Sequence, residues 1–382
     1  MMMIIFKIYS HTTQLNMVRY HLSKTDVEDL VVGAAILGTG GGGDPYIGKL
    51  MVIQELERGR RIEIVSIDEV DGDAFIVPVA AMGTPVVLME KIPSGKEALY
   101  SLRLLEGYFN RRVDFISPIE AGGVNSTIPL VVGAERGLPV IDADGMGRAF
   151  PELQMVTFHI YGIKATPMAI SDERGNAAIL DTVDNYWAER IARAITVKYG
   201  GSAWIAIYPT FGKLYRDAAI KGSISLAIEV GKALREAKLA GRNPVDALLD
   251  VTHGFELFKG KIIDVQRFNI GGFARGEAVI EGLDEYKGSR LMIRFQNENL
   301  VAIKDNEVVA SVPDLITVLD SESGKPITTE RLRYGLRVLV ISMPCNEKWR
   351  TSKGLETVGP RYFGYDIDYV PIEVRVKRVV KP

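Results

Sequence analysis

The chain carries one cysteine, Cys345, in 382 residues. A single thiol excludes an intrachain disulfide framework and any cysteine-rich metal site, and it fits a reducing cytoplasm. Histidine is almost as scarce, with only His11, His21, His159 and His253, and no pair has the spacing of a zinc-protease helix. Zinc sites draw on several His or Cys ligands, so His159, in a strand-like run, and His253 read as packed or surface residues. No apolar run approaches the roughly 20 residues that cross a bilayer. A net charge of −2 gives neither nucleic acid nor an anionic membrane a reason to bind. No Gly-x-Ser-x-Gly elbow is present, which argues against a serine hydrolase. Internal repeats and low-complexity linkers are also missing. The opening stretch Met3 to Tyr9 is apolar but too short and too weakly basic for a secretion signal. Residues 1–16 therefore read as a start-site artefact ahead of Met17, or as a frayed tail.

What is abundant is ordinary core material, 47% hydrophobic against 25% charged residues, enough for two or three domains with a large interior. The unusual stretch is Gly38-Thr39-Gly40-Gly41-Gly42-Gly43, followed by Asp44-Pro45. Four consecutive glycines give up much backbone entropy and offer no side-chain packing. Ser23 with Asp26 forms a capping box ahead of Val27, Leu30, Val31, Ala34 and Ala35, which share one helical face. Asp44 as N-cap and Pro45 at the first helical position then open a second helix. A helix before the loop excludes the dinucleotide fingerprint, which needs a strand, and Gly43-Asp44-Pro45 excludes a phosphate loop ending in Gly-Lys-Ser/Thr. Two readings survive. Gly40, Gly41, Gly42, Gly43 and Asp44 form a nest of amides for an anion or a carbonyl, or the loop is a tight connection packed against another backbone.

Strand-like runs at Ile62 to Val65, Ala74 to Ala81, Val86 to Met89, Val113 to Ser117 and Pro139 to Ile141 alternate with helical ones. That rhythm predicts an α/β domain over 22–165, largely parallel in its sheet, after a poorly ordered tail over 1–21. The rest, 166–382, reads as α+β. Two strand-like runs lie between Val156 and Leu180, Asp184 caps a helix to Lys198, and a mostly β module begins near residue 255. Polar residues gather where the strands end: Glu90, Glu120, Asn125, Asp142 and Asp144. In open α/β sheets, ligands bind beyond the carboxyl ends of the strands, so these side chains and the glycine loop are expected in one crevice.

The densest chemistry runs from Asp142 to Glu152. In an extended chain Asp142 and Asp144 face the same way and can share a proton, hold a divalent cation or orient a water as general base. Arg148 offers a bidentate cation for a carboxylate or a developing anion. The bland alternative is a solvated turn with an Arg–Asp pair, against which stand the apolar Met146, Ala149 and Phe150. Cys345 and His159 formally make a nucleophilic pair, but nothing local activates the thiol. In the β module, Gln296-Asn297-Glu298 and Gly271-Gly272-Phe273 interrupt the strands. They either reach the crevice or form bulges and turns.

In combination, Leu37 to Tyr46, Glu120 to Ser126, Asp142 to Glu152, Gly271-Gly272-Phe273, Phe295 to Glu298, Pro313 to Ile316 and Val358 to Arg361 resemble the S-methyl thiohydantoin desulfurase family. The likeness runs from about Leu22 to Pro371, with Glu120-Ala121 a mild departure. It implies a two-domain protein and hydrolysis of an S-methylated thiohydantoin to the hydantoin with loss of methanethiol. Members often occur beside hydantoinase or 5-oxoprolinase-like proteins. The expectation is a cytoplasmic hydrolase of a small cyclic amide or thio-analogue. Asp142, Asp144 or Glu120 would be its base, and Arg148 with the glycine amides its anion site. Glu90, Asn125, Glu152, Asn297 and Glu298 would contact the substrate. Alternatives are a non-catalytic subunit of a hydantoinase-type complex and an enzyme with a carboxylate-bound divalent cation. A homo-oligomer stays open.

Overall fold

A computed structural model describes residues 19–43, 45–83, 87, 91 and 96–379. Expectations for the tail before residue 19, for Asp44, for Glu90 and for most of the run 86–89 lie outside those residues. The capping box is present: Ser23 Oγ accepts the Asp26 N–H at 3.1 Å and Asp26 Oδ2 accepts the Ser23 N–H at 2.8 Å. It starts the helix Lys24–Leu37, whose apolar face is buried.

The first sheet takes β1 (Arg19–His21), β2 (Glu63–Val65), β3 (Phe75–Gly83), β4 (Phe115–Ser117) and β5 (Val140–Ile141). Beyond the small ladder of β6 (Ala143–Asp144), it adds the hairpin β7 (Met168–Ser171) and β8 (Ala177–Leu180), then β9 (Ser202–Ala206) and β10 (Thr210–Phe211). Its order is β1-β2-β5-β4-β3-β9-β7-β8, with β10 beside β3. The pairs β2–β5, β5–β4 and β4–β3 are parallel, as the strand–helix rhythm requires. Every other pair is antiparallel, because the chain returns from the far side as β9 against β3 and adds the β7–β8 hairpin beyond it. The sheet is therefore mixed. The run near Val156 is not a strand: Thr157–Ile160 is a short helix and carries His159.

After β11 (Ile220–Lys221), which pairs with β6, and two helices, the chain enters an all-antiparallel sheet. Its strands are β12 (Phe255–Ile270), β13 (Phe273–Gly282), β14 (Arg290–Gln296), β15 (Glu298–Lys304), β16 (Glu307–Ser311), β17 (Leu315–Asp320) and β18 (Arg337–Met343). The order β16-β15-β14-β13-β12-β18-β17 curls into a half-barrel. Its ends approach where the Asn299 amide donates to Ile316 O at 2.9 Å and the Val312 N–H to Leu300 O at 2.7 Å. Leu300, Leu315 and Ile341 of this module share one continuous core with Leu30, Val77 and Phe158.

Arg148 pins the seam between the two halves. Its guanidinium is fully buried and stacks on Phe150, 4.5 Å from the ring centre. Nε donates to Ala149 O, Nη1 to Pro313 O and Asp314 O at 2.9 and 2.8 Å, and Nη2 to Thr39 Oγ1 and Asn299 O at 2.9 and 3.4 Å. Five donors in a fixed fork thus meet five oxygens from both halves. Lysine has three donors and no fork, so Arg148→Lys leaves buried acceptors unpaired. We expect it to lower unfolding stability by about 3 kcal/mol in urea titrations. A loss below about 1 kcal/mol, the value of an ordinary hydrogen bond, would contradict this role.

Candidate active site

The glycine loop is shaped by close backbone and side-chain approach. A Cβ on Gly41 would lie 2.0 Å from Glu298 Oε1, and one on Gly42 would lie 2.5 Å from the Gly122 carbonyl carbon. The loop is sewn to both sides: Gly42 O accepts the Val124 N–H at 2.8 Å, while Thr39 O and Gly40 O accept the N–H groups of Asn299 and Thr329 at 2.8 and 2.9 Å. Gly40 and Gly41 therefore pack on the β module, and Gly42 and Gly43 line a cavity.

That cavity holds about 60 Å³ and lies between the end of β3, the segment after β4, residues 146–153 and the β14–β15 turn. It is small beside the roughly 300–1,000 Å³ typical of drug-sized ligand sites. Glu120, Asn125, Glu152, Asn297 and Glu298 all line it, with Met82, Met146 and Phe150 as apolar wall. Asn125 works as a fixed bracket. Its Oδ1 accepts the Ala81 N–H at 2.7 Å, and its Nδ2 donates to Ala81 O at 3.1 Å and to Glu120 Oε1 at 2.7 Å. Asn297 turns the chain with φ 57°, and its Oδ1 accepts the Ala274 N–H at 2.9 Å. Glu152 accepts the Tyr362 hydroxyl at 2.8 Å, which draws the C-terminal segment to the cavity rim.

Two carboxyls in this space are buried. Burial pushes Glu120 up to about 7, against the lowering effect of Asn125, the Phe150 N–H and the Arg148 charge. Glu298 lies well above the ordinary glutamate range, first through burial and then through the charge of Glu120. Its Oε2 has no hydrogen-bond partner among the described residues. Two such groups near one another hold a proton at neutral pH, and the pair titrates as a unit.

Asp142, Asp144 and Arg148 do not line this cavity. Asp142 Oδ1 accepts the Ile224 and Ser225 N–H groups at 2.8 and 3.0 Å, tying down the start of the helix Ser223–Leu239. Asp144 Oδ1 accepts from Met146 N and Gly147 N at 3.2 and 2.9 Å, shaping the turn, and burial raises its carboxyl well above the usual range. The donors of Arg148 are all spent on the seam, so the anion-holding part expected of it has no free N–H to perform it. His159 sits apart against Asn185, and burial pushes the Cys345 thiol up to about 12. No group of three His, Cys, Asp or Glu suited to a metal ion occurs among the described residues.

One cavity residue escaped the sequence reading. Arg193 donates from Nε to Glu189 at 2.7 Å and from Nη2 to Pro151 O at 3.0 Å, and lies over the Phe273 ring. Its Nη1 has no partner among the described residues. In sequence, Glu189 and Arg193 look like an ordinary i,i+4 surface pair.

Family models match nearly the whole chain. One, for the S-Me-THD-like N-terminal domain, matches residues 25–182, and another, for the S-Me-THD-like C-terminal domain, matches residues 183–372. The chain belongs to the S-Me-THD-like family. The X-ray structure of a protein from Chromobacterium violaceum is similar to this S-Me-THD-like chain at 25% identity. Its TM-score is 0.75, over 92% of this chain and 100% of that one. Comparison with curated proteins gives no match.

The raised Glu120 carboxyl has a stability signature. A carboxyl that binds its proton more tightly when folded favours the folded state at low pH, and that advantage fades as pH rises from the ordinary value of 4.5 through about 7. Glu120→Gln removes the cost of ionising a buried group. At pH 8 it should exceed the parent in stability by about 3 kcal/mol, and the difference should vanish below about pH 4. Denaturant titrations at the two pH values measure it.

Proposed function

We propose that the protein hydrolyses a small planar cyclic amide or its thio-analogue, with an S-methyl thiohydantoin as the reference substrate. The observation that carries this reading is the meeting of two buried carboxyls, one with an oxygen that has no partner among the described residues, in one small cavity. The family membership supports it.

Ionised Glu120 takes a proton from a water as its oxygen bonds to the sp² carbon between ring nitrogens. Protonated Glu298 gives its proton to the ring nitrogen of the breaking C=N bond. The tetrahedral carbon then carries OH and SCH₃. Glu298 recovers a proton from that hydroxyl as the C=O forms and the C–S bond breaks. Glu120 returns its proton to the departing sulfur, so methanethiol and the hydantoin leave and both carboxyls are restored. Asn125 fixes the direction of Glu120, while Arg193 and Asn297, which also line the cavity, hold the ring oxygen. Preorganised hydrogen-bond groups in a low-dielectric site make such proton transfers more effective than in water.

Thiol release from S-methyl thiohydantoin tests the scheme. Glu120→Gln and Glu298→Gln should each slow turnover by roughly 10²- to 10⁴-fold, the usual worth of a positioned acid or base. Activity should rise as pH climbs towards about 7, where Glu120 becomes ionised. Asp144→Asn should leave the pH profile in place. Full activity in Glu120→Gln would remove the scheme, and substrate binding without turnover in the parent would point to a non-catalytic subunit.

A further inference from the structure

A second cleft, of about 330 Å³, opens on the outer face of the curled sheet, where β12, β13 and β14 lie beside the C-terminal segment. Strand register sets its pattern. Phe268, Arg275 and Gln296 form one row across the three strands, and Gln266, Glu277 and Arg294 the next. Side chains directly opposite on neighbouring strands share a face. Gly276, between the rows, faces the other side of the sheet, where a Cβ would meet Gln266 O at 2.0 Å and the Phe295 ring at 2.7 Å.

Charge in the cleft does not balance. Arg294 Nε approaches Glu277 at 3.5 Å, but the guanidinium of Arg275 has no hydrogen-bond or ion-pair partner among the described residues. Two cations against one anion leave a single positive charge among the lining groups. The walls are aromatic: Phe268, 56% exposed, on one side and Phe363 and Tyr365 on the other. An exposed ring beside a guanidinium that no carboxylate neutralises sets a stacking face next to an anion partner, the two features that a flat ring carrying one negative charge engages together.

We propose that this cleft is a second ligand site, distinct from the Glu120–Glu298 cavity, and that it takes a planar aromatic or heteroaromatic monocarboxylate. Arg275 pairs with the carboxylate, and Phe268 and Phe363 flank the ring. The site abuts the first one through the chain, because Gln296 in the cleft precedes Asn297 and Glu298 in the cavity.

Calorimetric titration of the full chain with benzoate tests this. Binding of one equivalent is expected, weakened at least tenfold in Arg275→Gln and in Phe268→Ala, and unchanged in Glu120→Gln. Arg275 and Phe268 are exposed strand residues, and circular dichroism checks that both variants fold. Cyclohexanecarboxylate, which has the charge without the flat ring, should bind several-fold more weakly. Absence of benzoate binding at millimolar concentration would overturn the proposal. So would affinity that survives Arg275→Gln but is lost in Glu120→Gln, which would place benzoate in the first cavity. Failure here leaves the hydrolase reading standing, since thiol release is measured without this ligand.

Discussion

Burying a carboxylate in a protein interior costs several kcal/mol unless it is paired, and this molecule buries two in one cavity at the seam of its halves. The rest of the architecture serves that placement. Glu298 arrives on the β14–β15 turn of the half-barrel, and Glu120 arrives from the loop after β4 of the mixed sheet. Neither half alone contains the pair. The seam must therefore be held tightly enough that the two carboxyls cannot drift apart and hydrate.

Two devices hold it. The Arg148 guanidinium spends every donor on oxygens from both sides, so its charge lies close enough to ease the ionisation of Glu120 and Glu298 without being offered to a ligand. The glycine loop lets Glu298 lie directly on Gly41 and lets Gly42 touch Gly122, contacts that any side chain would block. A run of glycines that looks like a phosphate cradle by letter is here a hinge plate between two layers. The raised carboxyls are a consequence: burial and, for Glu298, the neighbouring Glu120 charge disfavour ionising both, and a carboxyl that keeps its proton beside one that can lose it suits acid–base chemistry.

Much of this was legible beforehand. The capping box at Ser23, the helix Asn185–Lys198 capped by Asp184, and the β module from Phe255 follow from local periodicity and caps. Glu120, Asn125, Glu152, Asn297 and Glu298 were named from the polar and glycine-rich interruptions, and the fold does gather them. Asp142 and Asp144 misled because a carboxylate that caps a helix or closes a turn carries the same sequence mark as one that meets a substrate. Arg148 misled for a related reason, since the sequence does not reveal how many of its donors the backbone will claim. Arg193 was invisible because only tertiary packing brings it to the cavity wall.

The claim on which the account rests is that Glu120 and Glu298 hold a proton at neutral pH. Carboxyl-carbon NMR of protein labelled with ¹³C-glutamate, titrated with pH and assigned through the Glu120→Gln and Glu298→Gln variants, reads it directly. The account predicts that the Glu120 signal shifts near pH 7 and the Glu298 signal well above the ordinary glutamate range, while ordinary surface glutamates titrate near 4.5. Both signals shifting below about pH 5, in the range of unperturbed glutamates, would contradict it.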